Sequence, residues 1–453
     1  MSSPAPSDAP ARPTLGSFWH DLPREGKLLL SVVVFEFIGT GLVLPFHVVY
    51  LHEVRGFELS DVGLLLGLPP LVGLFVVGPG GSAIDRLGAR RILMGALVLQ
   101  VLANVLLAFS SAEWMAAGAL LLAGVAFGVS WPGFQTLIAT VVPTGLRQRY
   151  FGVNFTLLNL GIGIGGIVGG ALVDVDHLVT FQTIYLGDEV SYLPALFLML
   201  VPLRHVAGRP VHEDGVPPPQ VSYREVMRRP AVASLMLLSF VSSYVGYSQL
   251  NAGMPAYARA VGEVSTQGLG LAFAANTLVI VVLQLVVLQR IEGRRRTRVI
   301  AVMSVVWAFS WVLLGATGLV SGTWGATMLV AACASVFAFG ETLLQPTVPA
   351  LVNELAPDHL RGRYNALSSG SFQLAAVIAP PVAGLLVGHG LGSVYIGSLV
   401  VGCLLCGALA IARVEPQLTP EVNGVRTPQP VPEVATLAAP VVASPQTQPV
   451  VLD

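Results

Sequence analysis

The chain has 453 residues, 54% of them hydrophobic and 11% charged, with a net charge of −1 and a mean hydropathy of +0.75. Soluble domains carry about a quarter charged residues, so this composition excludes a water-soluble globule. The apolar residues stand in long blocks, and roughly 20 in a row suffice for a helix to cross a bilayer.

Residues 1–26, rich in Pro, Ser and Ala, read as a disordered tail with no apolar core ahead of a cleavage site. Twelve apolar blocks follow, at 28–50, 61–82, 92–110, 115–142, 151–173, 179–202, 231–256, 266–289, 299–319, 323–352, 366–388 and 391–413. Spans in lipid must satisfy their own backbone hydrogen bonds, so each block is expected to be a helix. Residues 204–230 link two six-helix bundles, 27–203 and 231–414, and Tyr223 to Arg229 can form a short surface helix there. Residues 415–453 hold many Pro, Val, Thr and Gln and read as a second disordered tail with no assignable role. Cys333, Cys403 and Cys406 all lie in predicted spans, where a structural reading outweighs the redox spacing of Cys403-x-x-Cys406.

Placing the charges sets the topology. Of the 24 Lys and Arg residues, only Arg55 and Arg259 fall in loops on one side; the other 22 fall on the side of both termini. Cytoplasmic loops attract Lys and Arg, so both termini are expected inside the cell, around an even number of spans. The expected location is the inner or plasma membrane.

The two halves repeat. Pro143, Arg147, Arg149 and Tyr150 after the fourth block match Pro357, Arg361, Arg363 and Tyr364 after the tenth, at one offset of 214 residues. The same offset pairs Pro132 with Pro346 and Gly170 with Gly384; Pro45 answers Pro255, and Gly88-x-Arg90-Arg91 answers Gly293-x-Arg295-Arg296. Copies running in the same direction are the parallel repeat of a two-lobed transporter.

Between the second and third blocks stands Gly81-Ser-Ala-Ile-Asp85-Arg86-Leu-Gly88-Ala-Arg90-Arg91. This resembles the loop signature G-x-x-x-D-R-x-G-x-R-R of the major facilitator superfamily, and the resemblance extends over residues 28–413. It implies an all-α membrane fold of twelve helices in two six-helix parallel-repeat bundles. Gly81 lets two helices approach closely, and Asp85 can face the positive end of another helix. Arg86, Arg90 and Arg91 can pair with carboxylates or lipid phosphates. In the family this loop locks one access state, so Gly81, Asp85, Arg86, Gly88, Arg90, Arg91, Arg147, Arg149, Arg361 and Arg363 form the expected gate. In the fifth block, Gly161, Gly165, Gly166, Gly169 and Gly170 look like the exporter motif G-x-x-x-G-P-x-x-G-G, with Gly166 in place of proline; close helix packing explains them equally.

Two acids lie deep in the blocks. Glu36 is nine residues past Lys27, about 13 Å at the helical rise, and Glu341 is at similar depth. Ionised carboxylates are costly in a bilayer and mark water-filled cavities and ion paths, so one or both are expected to bind a proton; a structural hydrogen bond is the alternative. Asp188 and Glu189 receive no role. The family's cavity helices are the first, fourth, seventh and tenth, which also carry Trp131, Gln135, Tyr244, Tyr247, Asn251 and Gln345 as candidate wall residues. Trp307 and Trp311, on the peripheral ninth block, are expected to face lipid. The family's R-x-x-Q-G pattern is incomplete, with Leu120 and Ala123 before Gly124.

The leading expectation is a secondary active transporter exporting small lipophilic or cationic compounds in exchange for protons. A sugar or other metabolite carrier is the alternative, while E-x-x-E-R of peptide carriers is absent at Phe35-Glu36-Phe37. A membrane enzyme would need a cluster such as H-E-x-x-H, and the eight histidines are scattered; a transport-dead sensor is a third reading. No metal, no cofactor beyond the proton gradient, and no nucleic acid are expected. The partners are a small-molecule substrate and membrane lipids, around a monomer.

Overall fold

The computed structural model describes residues 15–208 and 221–425. Among these there is no strand. The twelve long helices are α1 (Arg24–Val43), α2 (Leu59–Leu87), α3 (Ala89–Ala108), α4 (Glu113–Val141), α5 (Thr144–Leu172), α6 (Leu178–Leu200), α7 (Pro230–Val245), α8 (Thr266–Ile291), α9 (Arg296–Ala316), α10 (Trp324–Leu344), α11 (Arg361–Gly388) and α12 (Gly392–Leu409). Among the described residues, eleven tracts are long and apolar enough to cross a membrane. The exception is α6, which at 23 residues is long enough but is diluted by Gln182, Asp188 and Glu189.

Several helices run past the apolar blocks that predict them. α2 continues to Leu87 and takes Asp85 into its last turn, while α5 and α11 start early enough to hold Arg147, Arg149 and Arg363 in their first turns. Proline shapes the interior. α10 stops at Leu344, just before Pro346, and resumes at Val348–Leu355, because proline disfavours helical geometry in the residue before it and lacks an N–H. Wide helical turns at Tyr50–Val54 and Gln249–Gly253 lie close to the repeat-related Pro45 and Pro255.

The helices form two six-membered bundles. In the first, α1 packs on α5 and α6, and α2 and α3 on α4; in the second, α8 and α9 pack on α10, and α7 on α11 and α12. The bundles meet along α2–α11 and α5–α8. The glycines of α5 divide by face. A Cβ at Gly161 would lie 2.7 Å from the Val34 carbonyl oxygen and one at Gly169 2.6 Å from that of Leu42; at Gly165 it would overlap the Ile38 carbonyl. These three, spaced four apart, let α5 lie against the backbone of α1. Gly166 and Gly170 are off this seam, with their nearest neighbours 3.9 and 3.7 Å away. Gly165→Val is therefore expected to cost about 1–3 kcal/mol through overpacking, seen as a lower unfolding midpoint, with Gly166→Ala close to wild type.

Three expectations are corrected. Trp307 and Trp311 are fully buried rather than lipid-facing. Their indole N–H groups donate to the Phe337 and Val245 carbonyls at 3.0 and 2.9 Å, and Gly246 and Gly340 leave the space that the Trp307 ring fills. Residues Leu15–Asp21 of the expected N-terminal tail form a helix that buries Phe18; residues 1–14 lie outside the described ones. In the expected C-terminal tail, residues 415–425 are ordered beneath α9, and 426–453 lie outside the described residues. Asn423 caps α9: its Oδ1 accepts from the Thr297 N–H at 3.0 Å. Asn423→Ala is expected to cost about 1 kcal/mol, measurable as a small drop in thermal midpoint. Cys333, Cys403 and Cys406 are buried and unpaired.

Candidate functional site

Two inter-bundle ion pairs close the face that carries most of the arginines. Asp85, at the end of α2, accepts from the Gly362 N–H at 2.6 Å, the Arg363 N–H at 3.3 Å and the Arg363 guanidinium at 2.7 Å. It thus caps the N-terminus of α11, where backbone N–H groups and the helix dipole favour a negative charge. The second pair joins Arg149 of α5 to Glu292, just beyond α8. Arg149 and Arg363 are equivalents at the 214-residue offset, and α2 and α8 are equivalent helices, so the two pairs tie corresponding helix ends, although Glu292 stands two positions past Arg290, the equivalent of Asp85. Glu292 is absent from the sequence reading; the acid just before Gly293-x-Arg295-Arg296 is the signal that could have found it.

Glycine makes the first pair possible. A Cβ at Gly81 would overlap Ala366, and one at Gly362 would overlap Asp85. Gly88 adopts φ of 94° between α2 and α3, a conformation that favours glycine. Further inter-bundle hydrogen bonds lie just inside: Asn365 to Thr136 at 3.1 Å, and Arg296 to Gln148 at 3.4 Å. The Tyr223 hydroxyl donates to the Gly78 carbonyl, tying the linker helix Tyr223–Met227 to α2. The other expected gate arginines act within their own bundles or face outward. Arg147 donates to the Ala139 and Val142 carbonyls, Arg90 donates to the Met199 carbonyl at 2.6 Å, Arg361 pairs with Asp358, and Arg86 and Arg91 are exposed.

Behind this closure lies a cavity of about 330 Å³ between the bundles. Its walls come from α4, α5, α7, α10 and α11, with Trp131, Phe155, Tyr247, Gln345, Phe372 and Gln373 as the principal lining side chains. It is mostly apolar with scattered amides and hydroxyls, the usual character of a small-molecule site. Gln135 Oε1, Ser239 Oγ and Gln373 Oε1 are buried there without a protein hydrogen-bond partner, so they can serve a guest molecule. Ser239, Ser242 and Ser243 share one face of α7 at helical spacing, a pattern legible in the sequence but not singled out.

The sequence candidates separate. Trp131, Gln135, Tyr247 and Gln345 line the cavity, whereas Glu36, Glu341, Tyr244 and Asn251 are not among its lining residues. Tyr244 stacks on Phe240 at 6.1 Å, and Asn251 is exposed in the wide turn after α7. Glu341 sits one layer behind the wall, buried at 3% exposure. Its Oε2 accepts from Asn276 of α8 at 2.6 Å, and the Tyr247 hydroxyl, which accepts from Gln345, lies near enough to interact with its charge. Polar groups, Gln345 and Tyr247, therefore stand between the cavity and Glu341. Glu36 is partly exposed on α1, with its carbonyl accepting from Ser191 of α6 at 3.2 Å. Among the described residues, no group of three or more His, Cys, Asp or Glu side chains is placed to hold a metal ion.

Comparison with known proteins fits this geometry. The family model described as Major Facilitator Superfamily matches residues 29–335 and 263–446. The uncharacterized MFS-type transporter YttB of Bacillus subtilis is 25% identical over 390 residues, 84% of this chain and 93% of that protein. A Na(+), Li(+), K(+)/H(+) antiporter of Planococcus maritimus is 24% identical over 84% of this chain and 94% of its own. The quinolone resistance protein NorA of Staphylococcus aureus is 30% identical over 169 residues, 37% of this chain and 42% of that protein. Among solved structures, a bacterial homologue of the iron transporter ferroportin in an outward-facing state superposes with a TM-score of 0.69, at 18% identity over 87% of this chain and 100% of that one. The chain belongs to the Major Facilitator Superfamily: it is a multi-pass membrane transporter of the all-α, two-bundle fold, which takes a small-molecule substrate.

Proposed function

We propose that the protein is a proton-driven exporter of small lipophilic or cationic compounds, acting as a monomer in the cell membrane with both termini in the cytoplasm. The observation that carries this reading is the central cavity: aromatic and apolar, supplied with amides and hydroxyls, and backed by a carboxylate one layer behind its wall through Tyr247. Such a wall suits flat lipophilic molecules, and a carboxylate without a neighbouring arginine repels anions. Similarity to a quinolone resistance protein and to a cation/H(+) antiporter supports both the cargo class and the proton exchange.

In this reading the arginine-rich face is cytoplasmic, and the closed pairs Asp85–Arg363 and Arg149–Glu292 hold the cavity shut toward the cell interior. Protonation of Glu341 removes its charge and so weakens, without breaking, its hold on Asn276 and Tyr247; the wall relaxes, and the bundles rock about the cavity. The gate then reopens on the cytoplasmic side to collect the next molecule. The proton gradient is the energy source. The test is uptake of cationic dyes by inside-out vesicles holding the purified protein under a pH gradient, with neutral sugars as the comparison. Dye accumulation that collapses with a protonophore is expected; sugar flux indifferent to the gradient overturns the proposal.

A further inference from the structure

A second polar cluster lies inside the first bundle, away from the lining of the central cavity. Asp188, ten residues into α6, is 1% exposed, and Glu189 beside it is 7% exposed. Asp188 Oδ2 accepts from Asn104 of α3 at 2.8 Å, and Asn104 Oδ1 in turn accepts from Gln100 at 3.2 Å. Asp188 Oδ1 and both oxygens of Glu189 are buried without a hydrogen-bond partner. Gly39 of α1 closes the other side: a Cβ there would stand 2.5 Å from Asp188 Oδ1 and would overlap Ser191 Oγ. Ser191 bridges the backbone carbonyls of Asp188 and Glu36, at 2.6 and 3.2 Å, and the Glu36 carboxylate is near enough to Asp188 for the two charges to repel.

The groups facing the acids decide what they can bind. From α1 comes Glu36. From α3 come only the amides of Asn104 and Gln100. From α6 come Tyr192, and Tyr185 one turn nearer the arginine-poor face, whose hydroxyl is 2.7 Å from His47 Nδ1. Tyr50 packs against Tyr185 with ring centres 4.9 Å apart. Arg55, at that end of the bundle, is committed to the Tyr50 hydroxyl and the Ala108 carbonyl at 2.8 Å each. No cation therefore answers the acids, and the geometry is not that of a metal cage. Adjacent carboxylates buried without counter-charge, with only Asp188 Oδ2 served by an amide donor, cannot all stay ionised, because several kcal/mol would be lost on each.

The geometry points to a proton-exchange site within the first bundle, centred on Asp188 and Glu189 with Glu36 alongside, and reached from the arginine-poor face through His47 and Tyr185. The exchange is the simple one: a carboxylic acid gives its proton to water entering along the His47–Tyr185 line, leaves a carboxylate, and later recovers a proton. It rests on the proton-driven reading above and deepens it, since Ser191 ties this site to α1 while Glu341 serves the other bundle.

The test is infrared difference spectroscopy of the full-length purified protein in lipid, titrated in pH without any transported compound, following the carbonyl stretch of protonated carboxylic acids. Wild type is expected to lose such bands on alkalinisation, with a clear fraction missing in Asp188→Asn, in Glu189→Gln and most fully in the double variant. Glu341→Gln should remove a different component. If the double variant fails to fold, Asn104→Leu, which leaves both acids in place and removes the donor to Asp188 together with the acceptor of Gln100, is expected to move the band. Unchanged titrating bands in folded variants overturn the site, as does a band that sodium or lithium abolishes at fixed pH. Because no dye is present, this result is independent of whether the protein exports dyes.

Discussion

Asp85→Ala is expected to shift the protein toward a conformation open on the arginine-rich face by about 3 kcal/mol, roughly a hundredfold in the equilibrium, since breaking one side of a buried pair strands its partner. The change removes the carboxylate that accepts three hydrogen bonds from the start of α11, including two backbone N–H groups. Arg363 is left with its guanidinium 9% exposed and no answering charge. The second pair, Arg149–Glu292, remains, so the bundles do not separate but rock more freely. A cysteine introduced at Ser369, in the cavity wall just behind the closure, reports the change. The native cysteines are buried, so labelling by a hydrophilic thiol reagent supplied from the arginine-rich face should rise steeply in Asp85→Ala. Labelling equal to that of the parent would show that the pair does not hold the gate.

Glu341→Gln is expected to reduce proton-driven transport to the level seen with a protonophore while leaving dye binding in the cavity near wild type. Glutamine keeps the shape and can still accept from Asn276, so the buried contact that holds α8 to α10 survives. What is lost is the exchangeable proton. The outcome separates a coupling role from a structural one: a purely structural Glu341 would give lower stability and weaker dye binding together. Transport of a dye across the full pH range at wild-type rates would remove Glu341 from the mechanism.

Much of the architecture is legible in the chain. Twelve blocks, the arginine distribution and the repeat at 214 residues lead to the fold, because lipid leaves the backbone few options. Even α6, the long helix outside the eleven span-grade tracts, is delimited by its neighbours. The gate was legible at Asp85 through Gly81 and the arginines, but the identity of its partner was not. Arg363 could be read as one half of a repeat, yet only packing shows that it meets Asp85 while Arg361 turns back to Asp358. Helix rotation is the missing quantity. Arg147 and Arg149 are two residues apart, so they point in different directions; one caps α4 and the other crosses to Glu292. The same limit explains Trp307 and Trp311. A peripheral helix has an inner face, and the glycines at 246 and 340, on other helices, make room for an indole on it.

Position along the sequence does not reveal layers within a bundle. Glu341 is buried and sits behind Tyr247 rather than in the wall. Asp188 and Glu189 receive no role in the sequence, yet they interrupt α6, the one long helix without a span-grade apolar window, and place a polar cluster at mid-bundle. The C-terminal strap was hidden for another reason. A low-charge, proline-rich stretch reads as disordered, and nothing local in residues 415–425 announces that Asn423 will cap a helix more than a hundred residues earlier.

The most direct test of proton-driven export is the proton flux that the cargo itself produces. Inside-out vesicles holding the protein and an internal pH-sensitive dye would be prepared without an imposed gradient, and a cationic compound added outside. Entry of the compound is expected to drive protons out, raising the internal pH, with the signal absent in Glu341→Gln. Uptake of the compound with no movement of protons in either vesicle population would contradict the account.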